Sequence, residues 1–102
     1  MSYLAVCKVN APLSPQLMDA YIAQCAYCEE KRKGGEVTIF SPLADFSGGI
    51  AIISVEKPED AMKIIASSPI FPYVKVELLP MVSWQFADKL AKQMQAAMAK
   101  QK

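Results

Sequence analysis

The segment from Gly48 to Pro80 constrains the fold more than any other part of this 102-residue chain. Its sequence is GGIAIISVEKPEDAMKIIASSPIFPYVKVELLP. A β-branched run from Ile50 to Val55 follows a Gly-Gly pair, as is typical of a strand that leaves a turn. Pro58 suits the first turn of a helix, and two later prolines end that helix before a strand restarts at Val74. The segment therefore predicts a strand, a helix and a strand with short connections.

The amino-terminal part of the chain predicts a strand followed by a helix. The strand runs from Tyr3 to Val9, and its alternate residues form one apolar face consisting of Tyr3, Ala5, Cys7 and Val9. Ser14 is a good N-cap, so the helix is predicted to begin at Pro15 and to run to about Arg32, where Gly34-Gly35 ends it. The predicted inward stripe of this helix consists of Leu17, Tyr21, Cys25 and Cys28.

Two more strands and a second inward stripe complete the predicted domain. Glu36 to Ser41 and Val74 to Leu79 have strand character, and the helix after Pro58 is predicted to bury Ala61, Ile64 and Ile65. The element order is therefore βαββαβ. Helices on one face of an antiparallel sheet give an α+β, ferredoxin-like sandwich.

A final helix, from about Ser83 to Lys102, is additional to that plan. We predict a ferredoxin-like domain over residues 1–82 and an amphipathic extension over residues 83–102. Apolar residues recur along the helix at helical spacing, and they are Phe86, Leu90, Met94 and Met98. The helix can cover its own domain or pack on a second subunit, and amphipathicity by itself does not choose between these alternatives.

Composition limits the possible partners. The chain has 11 basic and 10 acidic residues, so no basic field favours nucleic acid. No apolar run is long enough to cross a bilayer, and the first residues lack a signal-peptide pattern, so we expect a cytoplasmic protein that does not bind membranes. The expected partners are a small molecule and further copies of the same chain, as a homodimer or a higher homo-oligomer. We expect no cofactor and no metal.

The later half of the Gly48–Pro80 segment resembles the muconolactone isomerase-like family. The resemblance lies in a proline, a short apolar step and a Pro-aromatic pair before a strand with an acidic residue near its end. In this chain those residues are Pro69, Phe71, Pro72, Tyr73 and Glu77. The resemblance covers roughly residues 3 to 80, whereas the final helix and the absence of histidine depart from the namesake enzyme. It implies a dimeric α/β-barrel, in which two ferredoxin-like sheets face each other and enclose a pocket.

The reaction of the namesake, a double-bond shift in a lactone, suggests candidate catalytic residues. Such a shift needs a base that takes a carbon-bound proton and a donor that stabilises the enolate oxygen. Alternation places Lys8, Lys75 and Glu77 on the sheet face opposite the helices, with Glu77 as the predicted base and the lysines as its partners. Solvent-exposed or subunit-bridging salt bridges are the alternative interpretation of these charges.

Four further residues are candidate contacts for a substrate. Thr38 and Ser54 are expected on the same open sheet face. Tyr73 and Trp84 belong to an aromatic group near the ends of the last strand, and each keeps a polar atom that can orient a ligand.

The Cys25-Ala26-Tyr27-Cys28 sequence is a C-x-x-C motif, which can be a redox dithiol or half of a metal site. Redox pairs of this spacing usually lie at a helix N-terminus, where the helix dipole lowers the thiol pKa. This pair lies more than two turns into its helix. Cys7 is the only other cysteine, so four soft ligands are not available. Structural packing of both thiols is therefore the prediction.

These observations leave three hypotheses for function. The first is a cofactor-free, muconolactone isomerase-like protein that binds a compact apolar or lactone-like acid in a dimer pocket and isomerises it. The second is a non-catalytic dimerisation or ligand-binding module in which the final helix is the interaction element. The third is a cofactor-independent oxygenase of the same barrel architecture, which depends on fold analogy alone.

Overall fold

The computed structural model describes residues 1–100, and it contains every predicted helix and strand. The strands are β1 (Ser2–Val9), β2 (Val37–Pro42), β3 (Gly48–Ser54) and β4 (Val74–Met81). The helices are α1 (Pro15–Lys33), α2 (Pro58–Ala66) and α3 (Trp84–Ala99), and a short 3-10 turn spans Phe71–Tyr73. The predicted end of the last helix, Lys102, lies outside the described residues.

The ends of α1 follow from local chemistry, as the sequence predicts. The Ser14 side chain accepts a hydrogen bond from the Leu17 amide at 3.1 Å, which satisfies one of the free N–H groups of the first turn. Pro15 then occupies the start of the helix, where it removes no hydrogen bond. At the other end the chain leaves the helix through Gly34 and through Gly35, which has a φ of 80°.

The four strands form one antiparallel sheet in the order β2-β3-β1-β4. The central strands β1 and β3 pair so that Ala5 lies opposite Ala51, and β4 pairs with the other side of β1. A register shift between Val37 and Ile39 marks an irregularity in β2, with Thr38 as the extra residue. This topology confirms the predicted ferredoxin-like α+β fold.

One face of the sheet packs against the helices and forms the core. The main cluster of buried side chains joins β1, β2, β3 and α2 through Tyr3, Ala5, Val37, Ile53, Ala61, Ile64 and Ile65. A second cluster joins α1 to the chain before β4 through Leu17, Ala20, Tyr21 and Ile70. The predicted helix-covered face of β1 and the predicted stripe of α2 are therefore correct.

The predicted stripe of α1 is wrong at one residue, because Cys25 is exposed. Residues in an α-helix advance by about 100° each, so Cys25 lies about 80° around the helix from Leu17. Gln24 and Cys28 lie within about 20° of Leu17 by the same count. The inward stripe therefore contains Gln24, which is half-buried, in place of Cys25.

The loop between β2 and β3 is tied to α1 through one tyrosine. The Tyr21 hydroxyl donates a hydrogen bond to the Phe46 carbonyl at 2.9 Å, and the two rings meet edge to face at 5.3 Å. Phe46 has a φ of 61°, a strained conformation for a residue other than glycine.

Gly48, two residues after Phe46, passes so near the Cys7 carbonyl oxygen that a Cβ atom at this position would lie only 2.1 Å from it. Gly48 is therefore required by close backbone contact as well as by the turn.

Helix α3 projects from the domain as an arm. None of its residues is buried, and its local stability comes from the Ser83 cap and from an ion pair of 2.9 Å between Lys92 and Asp88. The radius of gyration is 17.2 Å, against about 13 Å for a compact domain of this length. Its large apolar side chains are uncovered, and they are Trp84, Phe86, Leu90, Met94 and Met98.

Among residues 1–100, no helix has the length and apolar character that crossing a membrane requires.

Substitution of Leu17 tests how much core packing stabilises α1 on the sheet. This side chain is 1% exposed, so Leu17→Ala removes buried apolar contacts and leaves a cavity. We expect the free energy of unfolding to fall by about 2–5 kcal/mol, measured by urea denaturation at fixed protein concentration. Ile22→Ala on the same helix is the control, because Ile22 is 71% exposed. Equal losses in the two variants would contradict this packing.

Candidate functional site

The sheet face opposite the helices is the candidate site, and we call it the open face. On β1 and on the two strands that pair with it, β3 and β4, every second residue lies on the open face. They are Ser2, Leu4, Val6 and Lys8 on β1, Gly48, Ile50, Ile52 and Ser54 on β3, and Lys75, Glu77, Leu79 and Met81 on β4.

The centre of the open face is apolar. Across the centre of the sheet, Leu4 lies between Ile52 and Leu79, and in the next row Val6 lies between Ile50 and Glu77. β2 extends the central row with Ile39, which pairs with Ile52 and is 48% exposed. An antiparallel sheet with one solvated face normally carries polar residues there. This face carries a continuous apolar surface instead.

The structure brings the three predicted catalytic residues together at one end of the open face. Lys8 lies directly opposite Lys75 on the neighbouring strand, and Glu77 is two residues further along that strand on the same face. Diagonal neighbours of this kind are about 7–8 Å apart at the backbone, within reach of long side chains. On the other side of Lys8 lies Gly48, which has no side chain. We call Lys8, Lys75 and Glu77 the charged end.

The charged end is solvent-exposed, and its charges are not paired with one another. The ion pairs within residues 1–100 join Lys31 to Glu36, Arg32 to Glu29 and Lys92 to Asp88, and none of them includes a residue of the charged end. Two like charges in directly opposite positions of a sheet repel each other. An anion placed between these lysines would therefore be stabilised.

The other predicted contact residues lie apart from the charged end. Ser54 is in the row at the far end of the sheet, where its hydroxyl is 3.4 Å from that of Ser2. Thr38 is exposed at the irregularity in β2, and its hydroxyl donates to the Ile52 carbonyl at 3.5 Å. Each is thus at a different edge of the open face.

The two aromatic candidates are not on the open face of their own chain. Tyr73 lies in the 3-10 turn, half-buried against the cluster of Leu17, Ala20, Tyr21 and Ile70. Trp84 begins α3 and is 75% exposed, beyond the edge of the sheet. Within one chain, therefore, neither ring lines the same surface as Lys8, Lys75 and Glu77.

The cysteines of the C-x-x-C motif have different environments. Cys25 is exposed and Cys28 is buried, where it accepts a hydrogen bond from the Gln24 side chain at 3.3 Å. Burial raises the pKa of the Cys28 thiol to about 11, and burial also raises the pKa of the Cys7 thiol. Both Cys28 and Cys7 are therefore protonated at neutral pH. The predicted packing is correct for Cys28 and wrong for Cys25, whose side chain is exposed. Across residues 1–100, no three His, Cys, Asp or Glu side chains are grouped so as to hold a metal ion.

A cavity between the sheet and α1 is the feature that no pattern within a single element predicts. It has two adjacent lobes of about 60 and 40 Å³. Six residues line both lobes, and they are Cys7, Gln24, Cys28, Ala51, Ile70 and Val74. We call it the inner cavity. The sequence signal that could have revealed it is a set of small residues on the helix-covered faces of β1 and β3.

Comparisons with known proteins agree with this fold. No family model matches the chain. A muconolactone Δ-isomerase of Rhodococcus opacus is 29% identical over 70 residues, which cover 68% of this chain and 75% of that protein. The crystal structure of a muconolactone isomerase superposes with a TM-score of 0.70 at 14% identity, over 81% of this chain and 90% of the other.

A second solved structure has the same fold. It is the 5-chloro-2-hydroxyhydroquinone dehydrochlorinase of Burkholderia phenoliruptrix, in complex with 2,5-dihydroxybenzoquinone. Its TM-score is 0.64 at 16% identity, over 80% of this chain and 94% of the other. The chain is therefore similar to a muconolactone isomerase in sequence and shares its fold.

Proposed function

We propose that this protein binds a compact apolar or lactone-like acid on the open face, within a pocket enclosed by two copies of the chain, and isomerises it by cofactor-free proton transfer. The observation that carries this proposal is the charged end. A pair of opposed lysines with a neighbouring carboxylate lies beside the apolar centre of the open face. That combination matches a small molecule with an apolar ring and one carboxylate.

The lysines would bind the carboxylate of the ligand. Lys8 and Lys75 repel each other in the free protein, and a carboxylate between them replaces that repulsion with two charge-assisted hydrogen bonds. The apolar rows of Leu4 and Val6 would then contact the ring. The affinity expected from this arrangement depends on water being excluded, because exposed ion pairs contribute little.

Glu77 would act as the base. Its carboxylate takes a proton from the carbon next to the lactone carbonyl, so the carboxylate becomes a carboxylic acid and the substrate becomes an enolate. An ammonium group of the charged end donates a hydrogen bond to the enolate oxygen. Glu77 then returns the proton to the far carbon of the conjugated system, which moves the double bond and restores the carboxylate. No atom is gained or lost overall.

A second copy of the chain would enclose the pocket. A large apolar surface on a sheet is stabilised when another layer covers it, and α1 and α2 both lie on the opposite face. If two open faces meet, the charged ends are removed from bulk water and their interaction with an anion strengthens. The substrate contacts predicted for Thr38, Ser54, Tyr73 and Trp84 remain predictions, and Trp84 would reach the pocket from the arm.

The non-catalytic module is the second candidate, and α3 supports it. An arm with an uncovered apolar stripe is typical of an element that packs on a partner, whether or not the pocket is active. The two candidates share the oligomer and differ in whether the charged end binds and converts a ligand.

Substitutions in the charged end separate binding from chemistry. Lys75→Gln removes a charge-assisted hydrogen bond, so we expect the affinity for a lactone acid to fall by roughly 10- to 100-fold. Glu77→Gln keeps the shape of the site and removes the base, so we expect binding to persist and isomerisation to slow by about 10²–10⁴-fold. Thermal shift gives the binding and absorbance of the conjugated product gives the turnover.

Matched variants on α2 control for changes in total charge. Lys63→Gln and Glu59→Gln alter the same residue types at exposed positions away from the open face. The methyl ester of each acid controls for the carboxylate, and it should bind more weakly than the acid. If no acid in a panel of lactones and ring carboxylates shifts the melting temperature, the proposed enzyme function is wrong.

The role of α3 is tested by its apolar stripe. Met94→Lys places a charge in the stripe, and we expect it to shift the sedimentation coefficient toward the monomer, as deletion of all residues after Met81 should. Gln85→Lys is the matched control, because Gln85 lies on the opposite, polar side of the helix. An unchanged sedimentation coefficient in both the point variant and the shortened chain would exclude α3 from the interface.

A further inference from the structure

We propose that the inner cavity is a second binding site, on the opposite side of the sheet from the open face, for an uncharged molecule about the size of one substituted ring. This proposal is independent of the proposed function, because Lys8, Lys75 and Glu77 do not line the cavity and because the ligand class differs.

The inner cavity exists because small residues meet at the centre of the helix-covered face. In the register of β1 with β3, Ala5 lies opposite Ala51 and Cys7 lies opposite Gly49. Larger side chains at such positions would fill the space beneath α1, as in a normally packed interior. At Gly49 a larger residue is also excluded, since a Cβ atom there would lie 2.9 Å from the Pro42 Cα atom. The space therefore follows from the backbone as well as from side-chain size.

The lining of the inner cavity is uncharged. Neither lobe is lined by Asp, Glu, Lys or Arg, and the thiols of Cys7 and Cys28 are protonated at neutral pH. A carboxylate would enter such a space without a partner, at a large cost in desolvation. The site therefore excludes the acid that we propose for the open face and accepts a neutral molecule.

Gln24 supplies hydrogen-bonding capacity inside this apolar lining. Its carbonyl oxygen accepts from the Ile70 amide at 3.2 Å, and its NH₂ group donates to the Cys28 sulfur. A side-chain amide has two donors and two acceptor lone pairs, so one donor and one acceptor position remain for a ligand. The two existing bonds fix the orientation of the amide, which favours a ligand with a hydroxyl or carbonyl group.

The size of the cavity sets the size of the ligand. The lobes measure about 60 and 40 Å³, and one water-sized group needs roughly 10–15 Å³. Together they hold roughly seven to ten such groups, which is enough for a six-membered ring with one substituent. Phenol has this size and is uncharged at neutral pH, so it is a suitable probe.

A surface groove borders the inner cavity. The groove runs between α1 and β2, and it shares Cys28, Phe40 and Pro42 with the larger lobe. Cys25 lines the groove but neither lobe. The chain therefore contains its own control, because a ligand in the inner cavity covers Cys7 and Cys28 and leaves Cys25 accessible.

Thiol modification of the full-length protein tests the proposal. Each cysteine is followed by mass spectrometry during reaction with methyl methanethiosulfonate, a small neutral reagent, in the presence of phenol or of benzoate. With phenol at about ten times its Kd, we expect the modification of Cys7 and Cys28 to slow by about tenfold, because the unliganded fraction falls in that proportion. Cys25 should keep its rate, and benzoate should slow none of the three.

A filled cavity provides the second measurement. Ala51→Val adds volume at a residue that lines both lobes, so it should abolish the phenol protection of Cys28, whereas Ala66→Val on the exposed end of α2 should retain it. The proposal is overturned if phenol leaves the wild-type rates of Cys7 and Cys28 unchanged, or slows Cys25 equally. If Ala51→Val does not fold, the wild-type rates decide alone. Protection by phenol in Lys75→Gln would show that the inner cavity acts independently of the charged end.

Discussion

The packing of α1 and α2 on the same face of the sheet is the constraint on which the rest of the structure depends. The stripe of α2 packs against β1, β2 and β3, and that of α1 packs against the chain at the start of β4. Leu17 and Ile53 are the largest side chains that this packing encloses completely. In a split βαβ arrangement the crossovers have the same hand, so both helices reach the same side of the sheet. The opposite face carries Leu4, Val6 and Ile52 with no layer of its own above it.

The sheet thereby separates two environments that suit different molecules. On the open face, Lys8, Lys75 and Glu77 are solvated, so charges are tolerated there and an anion is attracted. Beneath α1, the inner cavity is lined by apolar groups, thiols, hydroxyls and one amide but by no charged side chain, so a charge is excluded by the cost of desolvation. The two proposed sites are back to back across a single layer, and β1, β3 and β4 contribute to both because the side chains of a strand alternate.

Helix α3 has an apolar stripe that, like the open face, is uncovered within one chain. Its cap at Ser83 and its Asp88–Lys92 ion pair stabilise the helix locally, but its apolar stripe has no partner in its own chain. Such a helix gains most of its stability from tertiary or quaternary packing rather than from helix propensity. The arm and the open face are therefore two apolar surfaces that one copy of the chain leaves uncovered, which is the physical reason to expect an oligomer.

The sequence by itself determined the elements and most of their faces. Capping at Ser14, the glycines after α1 and the prolines around α2 are local signals, and alternation along β1 depends on no other strand, so these predictions agree with the structure. The tertiary structure alone decided which residues of different strands and helices face one another. The pairing of Lys8 with Lys75, the exposure of Cys25 and the meeting of Ala5 with Ala51 depend on strand register and on the rotation of α1. These are set by the packing of residues far apart in the chain, and no single segment encodes them.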